Sequence, residues 1–435
     1  MSNTIVSRPP SPVRRLTLGL AVVGALFLVT AIAVAVVLAR LEVAATPADV
    51  VGPPVRAQTA AGDRVFLLTS QWKTYRTRYS RHGISRPAYT ALLVDVWAFD
   101  AGTGKPLWRR RLESDRRGVN AGRALLGAEP DVLWLLTSRG LLGISTSDGA
   151  SIADAAAIEA KNPHLASRMP REPKLFRFDA AGLGFRSADG RDWRLDGATL
   201  AASQAGQTPP TGPAKAFPPA RLSGGVSTWA FHEKGLHLTG RWIGVLSAGE
   251  AQRSQERRTL VFAHPDEAPR VRLWSATARR EAGFVGERTW LSDFAPLPES
   301  PEFLRGGLLS DGNLKNQPIM LFEPDSLLVL HWDRLGDDGR IRLSRVAPRG
   351  RVLWTASLPM SRLDAVMPGE RTLTLLGSRP EPDLARPRER APVEVDQLVT
   401  VDLQTGRTSP YGFRFKAPEG AQIPRPATPP DGAEK

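Results

Sequence analysis

The sequence predicts an all-β protein: a β-propeller of six to eight blades, seven favoured, preceded by one N-terminal transmembrane helix. Three observations predict it. Residues 16–39 form a single uncharged apolar run, LTLGLAVVGALFLVTAIAVAVVLA. After residue 60 the chain consists of short apolar runs separated by Gly, Asp, Ser and Pro. Turn glycines recur at intervals close to the length of a four-stranded propeller blade.

Composition sets the limits. With 435 residues, 42% hydrophobic and 7% aromatic, the chain can bury one large or two modest cores. Disorder as the dominant state is excluded. No cysteine is present, which excludes a disulfide framework, Cys-ligated zinc, iron–sulfur clusters and thiol catalysis. The formal net charge is +14, from 58 Lys and Arg against 44 Asp and Glu.

The first elements are a cytoplasmic tail over 1–15 and a transmembrane helix over 16–39. At a rise of about 1.5 Å per residue the run spans about 36 Å, enough to cross a bilayer core with some tilt. Val43-Ala44-Ala45 has the small-residue character of a cleavage site, but the run is longer than a signal-peptide core. Arg8, Arg14 and Arg15 precede it, whereas Arg40 follows with Glu42 and Asp49. That asymmetry keeps the N-terminus in the cytoplasm. The expected location is therefore the inner (cytoplasmic) membrane, single-pass, with the C-terminal domain in the periplasm. Residues 40–64, rich in Pro, Gly and Ala, read as a linker.

The propeller is expected over 65–415. Its strands include VFLLT (65–69), ALLVDVWAF (91–99), VLWLL (132–136), LLGIS (141–145), LLVLHW (327–332), LTLLG (373–377) and QLVTVDL (397–403), punctuated by Asp-Gly turns. Short helices are expected at Asp154–Lys161 and at Ala248–Gln255 with Ser247 as N-cap. The turn glycines Gly104, Gly149, Gly190, Gly350 and Gly406 are 45, 41, 160 and 56 residues apart. The long gap equals four steps of about 40. A lone blade cannot bury both faces, so blades stack until the ring closes. A Trp following the turn would pack between neighbouring blades. Residues 203–219 and 379–394 are Pro-rich insertions, and 416–435 has the composition of a disordered tail.

The segment WAFDAGTGKPLWRRRL resembles the repeat of quinoprotein-type β-propellers through Asp100, Thr103, Gly104 and Trp108. Gly350 with Trp354 echoes it, and Asp402, Thr405 and Gly406 repeat the turn without the Trp. The resemblance implies a propeller. It covers both enzymes carrying pyrroloquinoline quinone and cofactor-free scaffolds of outer-membrane protein assembly. The whole chain also resembles a membrane-anchored bacterial family, which implies no activity.

Chemistry-bearing motifs are few. Gly102-Thr103-Gly104-Lys105 lacks the helix a phosphate loop requires and reads as a hairpin turn. His232, Glu233 and His237 are spaced by five with Gly235 between, whereas a zinc-binding helix needs two His at i and i+4. No Gly-x-Ser-x-Gly elbow occurs. No catalytic, metal or cofactor-binding residue is assigned. The candidate interaction loop lies within 73–90 and comprises Tyr75, Arg76, Arg78, Tyr79, Arg81, His82, Arg86 and Tyr89. Basic and aromatic groups interleaved can grip phosphate or a protein groove, while the plainer reading is a solvated hairpin extension.

The leading function is a protein-interaction scaffold of the cell envelope, without catalysis. The alternatives are a propeller enzyme, quinoprotein or glycan-directed, and a module sensing anionic lipid or another ligand. The expected partners are the membrane, an envelope protein and anionic lipid. Nucleic acid is not expected, because the anchor places the domain outside the cytoplasm and no recognition motif is present.

Overall fold

The structure is a computed structural model that describes residues 48–75, 89–115, 123–179, 182–205, 232–238, 240–263, 269–283, 286–311, 317–321, 325–336, 339–378 and 395–413. The apolar run 16–39 and the tail 416–435 lie outside the described residues. Among the described residues no helix is long and apolar enough to cross a membrane. The chain divides into two compact units. One is Met1–Thr46, Trp72–Leu92 and Asp115–Gly118; the other is Pro47–Gln71, Leu93–Ser114 and Val119–Lys435. The second holds the sheets, apart from the ends of three strands.

The fold is all-β, and among the described residues the strands pair antiparallel in five sheets, of which none closes on itself. The first contains β1 (Asp49–Val50), β2 (Val55–Thr59), β3 (Gly62–Tyr75), β4 (Tyr89–Asp100) and β5 (Pro106–Asp115). β1 and β2 both pair with β3, one after the other along its length, so the sheet is four strands wide. The second runs β6 (Ala124–Ala128), β7 (Val132–Thr137), β8 (Gly140–Ser145), β9 (Ser151–Ala153). The third runs β10 (Phe176–Asp179), β11 (Gly182–Arg186), β12 (Asp192–Leu195), β13 (Ala202–Gln204).

The ten-stranded sheet contains two meanders, each four strands wide. One is β15 (Gly235–Leu238), β16 (Arg241–Leu246), β17 (Arg270–Gly283) and β18 (Gly286–Pro296). The other is β19 (Phe303–Leu309), β21 (Ser326–Trp332), β22 (Ile341–Val346) and β23 (Val352–Ser357). Two residue pairs between β17 and β19 join them, with the short β14 (His232–Glu233) and β20 (Met320–Leu321) on their flanks. The last sheet is β24 (Arg362–Pro368), β25 (Thr372–Ser378), β26 (Gln397–Asp402) and β27 (Thr408–Gly412). The described residues thus carry six successive meanders.

Both expected helices form. In α1 (Ala155–Lys161) the Asp154 side chain caps the Ala157 amide. In α2 (Ala248–Arg257) Ser247 and Glu250 close a reciprocal capping box.

The sequence pattern explains how the meanders stack. β25 is buried at all seven positions and β7 at five of six. A strand buried on both faces needs cover on both sides. Leu343 and Leu330 of the fifth meander pack with Leu373, Leu375, Val399 and Val401 of the sixth. Leu376 and Leu398, on the opposite face of the sixth, pack with Val65, Leu67, Trp97 and Phe99 of the first. Leu183 and Phe185 of the third pack with Trp134 and Leu136 of the second. Val245 and Leu273 of the fourth pack with Leu308 and Val329 of the fifth.

The turn between the third and fourth strands of a meander recurs almost unchanged. Asp100 Oδ1 accepts from the amide of Thr103 at 2.7 Å and from its hydroxyl at 2.8 Å, and the Gly104 amide donates to the Asp100 carbonyl at 2.8 Å. Asp402, Thr405 and Gly406 repeat this geometry, as do Asp196, Thr199 and Leu200. The fifth position needs positive φ: +69° at Gly104, +75° at Gly406 and +59° at Leu200, which only glycine adopts without cost.

The Trp after the turn packs against the next meander. Trp108 Nε1 donates to the Thr146 carbonyl at 3.3 Å, and a Cβ on Gly149 would lie 2.9 Å from its ring. Trp354 Nε1 donates to the Leu403 carbonyl at 3.1 Å, and a Cβ on Gly406 would lie 2.7 Å from its ring. The two contacts are equivalent: each indole reaches the second residue of the neighbouring turn and lies over its glycine.

Two buried hydroxyls break the pattern. Thr374 and Thr400 face each other in register across β25 and β26. They are 0% and 2% exposed, and neither hydroxyl has a hydrogen-bond partner among the described residues. Burying an unsatisfied hydroxyl costs about 1–3 kcal/mol. Thr374→Val and Thr400→Val are therefore expected to stabilise by about 1 kcal/mol each, read by urea denaturation. Destabilisation of that size would mean instead that a water bridges the pair.

Candidate functional site

A concavity of about 770 Å³ lies where turns of the fifth and sixth meanders meet. Its walls are Met320 and Leu321, Arg345, the Gly369-Glu370-Arg371 turn, and the Asp402-Leu403-Gln404 turn. Contacts within and between sheets hold these walls. Arg345, 6% exposed, donates from Nε to Ser326 Oγ at 2.7 Å and from Nη1 to the Leu403 carbonyl at 2.9 Å. The Leu403 amide donates to the Arg371 carbonyl at 2.9 Å. From the first sheet, Arg56 donates to the carbonyls of Met367 and Thr372 at 2.9 and 2.8 Å, clamping the β24–β25 turn.

The electrostatics are mixed. Arg345 and Arg371 stand with Glu370 and Asp402. Burial opposes ionisation of Asp402, but the amides of Thr405 and Gln404 and the Thr405 hydroxyl outweigh it and hold its carboxyl below the usual range. Glu370, Arg371 and Gln404 are exposed at the rim, while Met320 and Leu321 give an apolar wall. A cleft with charges of both signs and an apolar side suits an extended polypeptide segment. It contains no nucleophile beside a base.

A second polar cluster has the outline of a catalytic pair. His331 Nε2 lies 2.9 Å from Ser344 Oγ, which lies 2.8 Å from Thr355 Oγ1. Ser344 is 0% exposed, so no substrate reaches it and the row is a cross-strand ladder. Burial, with Arg342 adding to it, pushes the His331 imidazole down to about 4, against the Trp332 carbonyl and Asp333. The ring is therefore neutral, with Nδ1 facing the Trp332 carbonyl at 3.3 Å.

Of the candidate interaction loop, Tyr75 ends β3 and Tyr89 begins β4. Arg76, Arg78, Tyr79, Arg81, His82 and Arg86 lie outside the described residues. His232 and Glu233 form β14 against β19, whereas His237 lies on β15 against β16. Among the described residues no three potential ligands gather into a metal site. Gly102–Lys105 is the turn between β4 and β5. Sequence reasoning singled out Asp402 as a turn residue but passed over Arg345, Glu370 and Arg371. Their only sequence signal is that they fall in or beside turns of repeated units.

No family model matches the chain, and no curated protein matches it. Among solved structures, the chain is similar to a puromycin-hydrolyzing peptidase of Mycobacterium tuberculosis. Identity is 14%, the match covers 83% of this chain and 53% of that one, and the TM-score is 0.23. A likeness that slight carries no argument about fold or activity.

Proposed function

We propose that this chain is a membrane-anchored, periplasmic β-propeller that acts as a protein-interaction scaffold of the cell envelope, presenting the cleft between its fifth and sixth meanders to a polypeptide segment of its partner. The observation that carries the proposal is the stacking order. The second meander packs on the third, the fourth on the fifth and the fifth on the sixth, and the sixth buries its other face on the first. A chain whose last sheet packs on its first is the pattern expected of a ring. The repeated Asp-x-x-Thr turns and the two docked indoles support the same reading, as does the quinoprotein-type repeat they echo. The anchor and compartment rest on the uncharged run 16–39 and the basic residues before it. Anchoring confines the cleft near the membrane and raises its effective concentration for envelope partners.

Site-specific photocrosslinking tests the scaffold role. A crosslinker at Gln404, on the cleft rim, is expected to capture one envelope protein in intact cells. Purified partner should then bind the full chain at least tenfold more weakly after Arg371→Glu. Substrate turnover by the purified chain with no captured partner would overturn the scaffold in favour of an enzyme.

A further inference from the structure

The hairpin of β17 and β18 outruns its sheet. β16 pairs with β17 only as far as Thr277, and beyond that point β17 and β18 continue as a two-stranded arm to Gly283 and Gly286. One face of the arm is covered: Leu291 and Ala278 pack with Trp242 and Ala251 of α2. The edge of β18 is closed by α2 as well, since the Leu291 amide donates to the Arg258 carbonyl and the Phe294 amide to Gln255 Oε1, both at 3.0 Å.

The other face carries exposed side chains. Trp290, 36% exposed, stands there directly opposite Arg279 in the register. Arg241 lies on the same face, opposite Thr277, and Arg258 flanks the edge beside Trp290. All three arginines are exposed and carry no ion pair among the described residues. Glu281 is the acidic residue on that face.

We propose that this arm is an anionic-lipid contact site, with Trp290 seated at the headgroup level and Arg241, Arg258 and Arg279 on the lipid phosphates. The inference rests on the membrane placement proposed above. Three features favour a bilayer over a protein groove. The cations share the exposed face and edge that carry one aromatic, rather than line a concavity. An indole with one wet edge prefers the headgroup level. The charge excess matches an anionic surface, where each arginine strengthens attachment about fivefold.

The absence of native cysteine makes a clean probe possible. Full-length Ser292→Cys chain, labelled with an environment-sensitive fluorophore two residues from Trp290 on the same face, is reconstituted in phosphatidylcholine vesicles with and without one-quarter phosphatidylglycerol. The label should shift to the blue only with phosphatidylglycerol and revert at high salt. Combining Arg241→Gln, Arg258→Gln and Arg279→Gln should weaken the response by on the order of a hundredfold, with the melting temperature held. No shift with phosphatidylglycerol, or a shift indifferent to salt and to the three substitutions, would overturn the proposal. So would a label that answers soluble polyglutamate but not vesicles, which assigns the face to an acidic protein. Flotation of the chain with pure phosphatidylcholine reads the anchor separately, so its failure and failure of the arm are distinguishable.

Discussion

Trp108→Ala is expected to destabilise the protein by about 3–5 kcal/mol, the range for truncating a large buried aromatic. The indole is 6% exposed, lies 5.9 Å from the Phe66 ring, and spans from the first sheet to the turn of the second. Its loss opens the seam between two sheets rather than a pocket inside one. Gly149→Ala attacks the same seam from the other side. Its φ is +74° and the new Cβ would stand 2.9 Å from the ring, so it carries both a backbone cost of about 1–2 kcal/mol and a clash. The double variant separates the two. Once the indole is gone, Gly149→Ala should cost only its backbone term, so the pair should be markedly less than additive. Chemical denaturation of the four proteins reads this directly. Strict additivity would show that the two residues do not meet.

The second large effect depends on pH. His331 is neutral in the fold, with its ionisation pushed down to about 4 by burial, whereas the unfolded chain protonates near 6.5. The unfolded state therefore holds more protons between these values, and stability rises with pH across the window. The contribution is complete above pH 6.5 and is lost as pH falls towards 4, by about 2–3 kcal/mol. His331→Asn keeps a polar side chain beside Ser344 without the titration. The stability gap between wild type and variant should narrow by that amount from pH 7 to pH 4. Glu129, whose carboxyl burial pushes up, acts in the opposite sense, but it is common to both proteins and cancels in the difference. A gap that stays constant with pH would mean that His331 is solvated.

Much of the architecture was legible because local and long-range signals agree. Alternation and turn residues place β7, β21, β25 and β26, and the two caps at Asp154 and Ser247 place the helices. The packing of Trp108 and Trp354 on the next turn follows from a simple need, since a Trp after a glycine turn must find a flat surface without a side chain. The region 200–320 was harder. There β17 and β18 form a hairpin with strands of 14 and 11 residues, longer than most strands of the other meanders, and β19 pairs back onto β17, so no constant spacing survives. The cleft was not legible. Its lining comes from turns of two meanders, and Arg345 is drawn in by Ser326 and the Leu403 carbonyl, distant partners that sequence spacing does not reveal. The loop between β3 and β4 stood out for its Arg and Tyr content, yet composition alone carries no geometry.

The proposed ring makes one further demand: the third meander must neighbour the fourth. Spin labels at Ala188, in the turn between β11 and β12, and at Gln252 on α2 measure that separation in the full chain. Packed sheets lie about 10 Å apart, so a closed ring gives a single narrow distribution at one to three such spacings. A broad distribution at longer distances would describe an open arc of sheets and contradict the propeller.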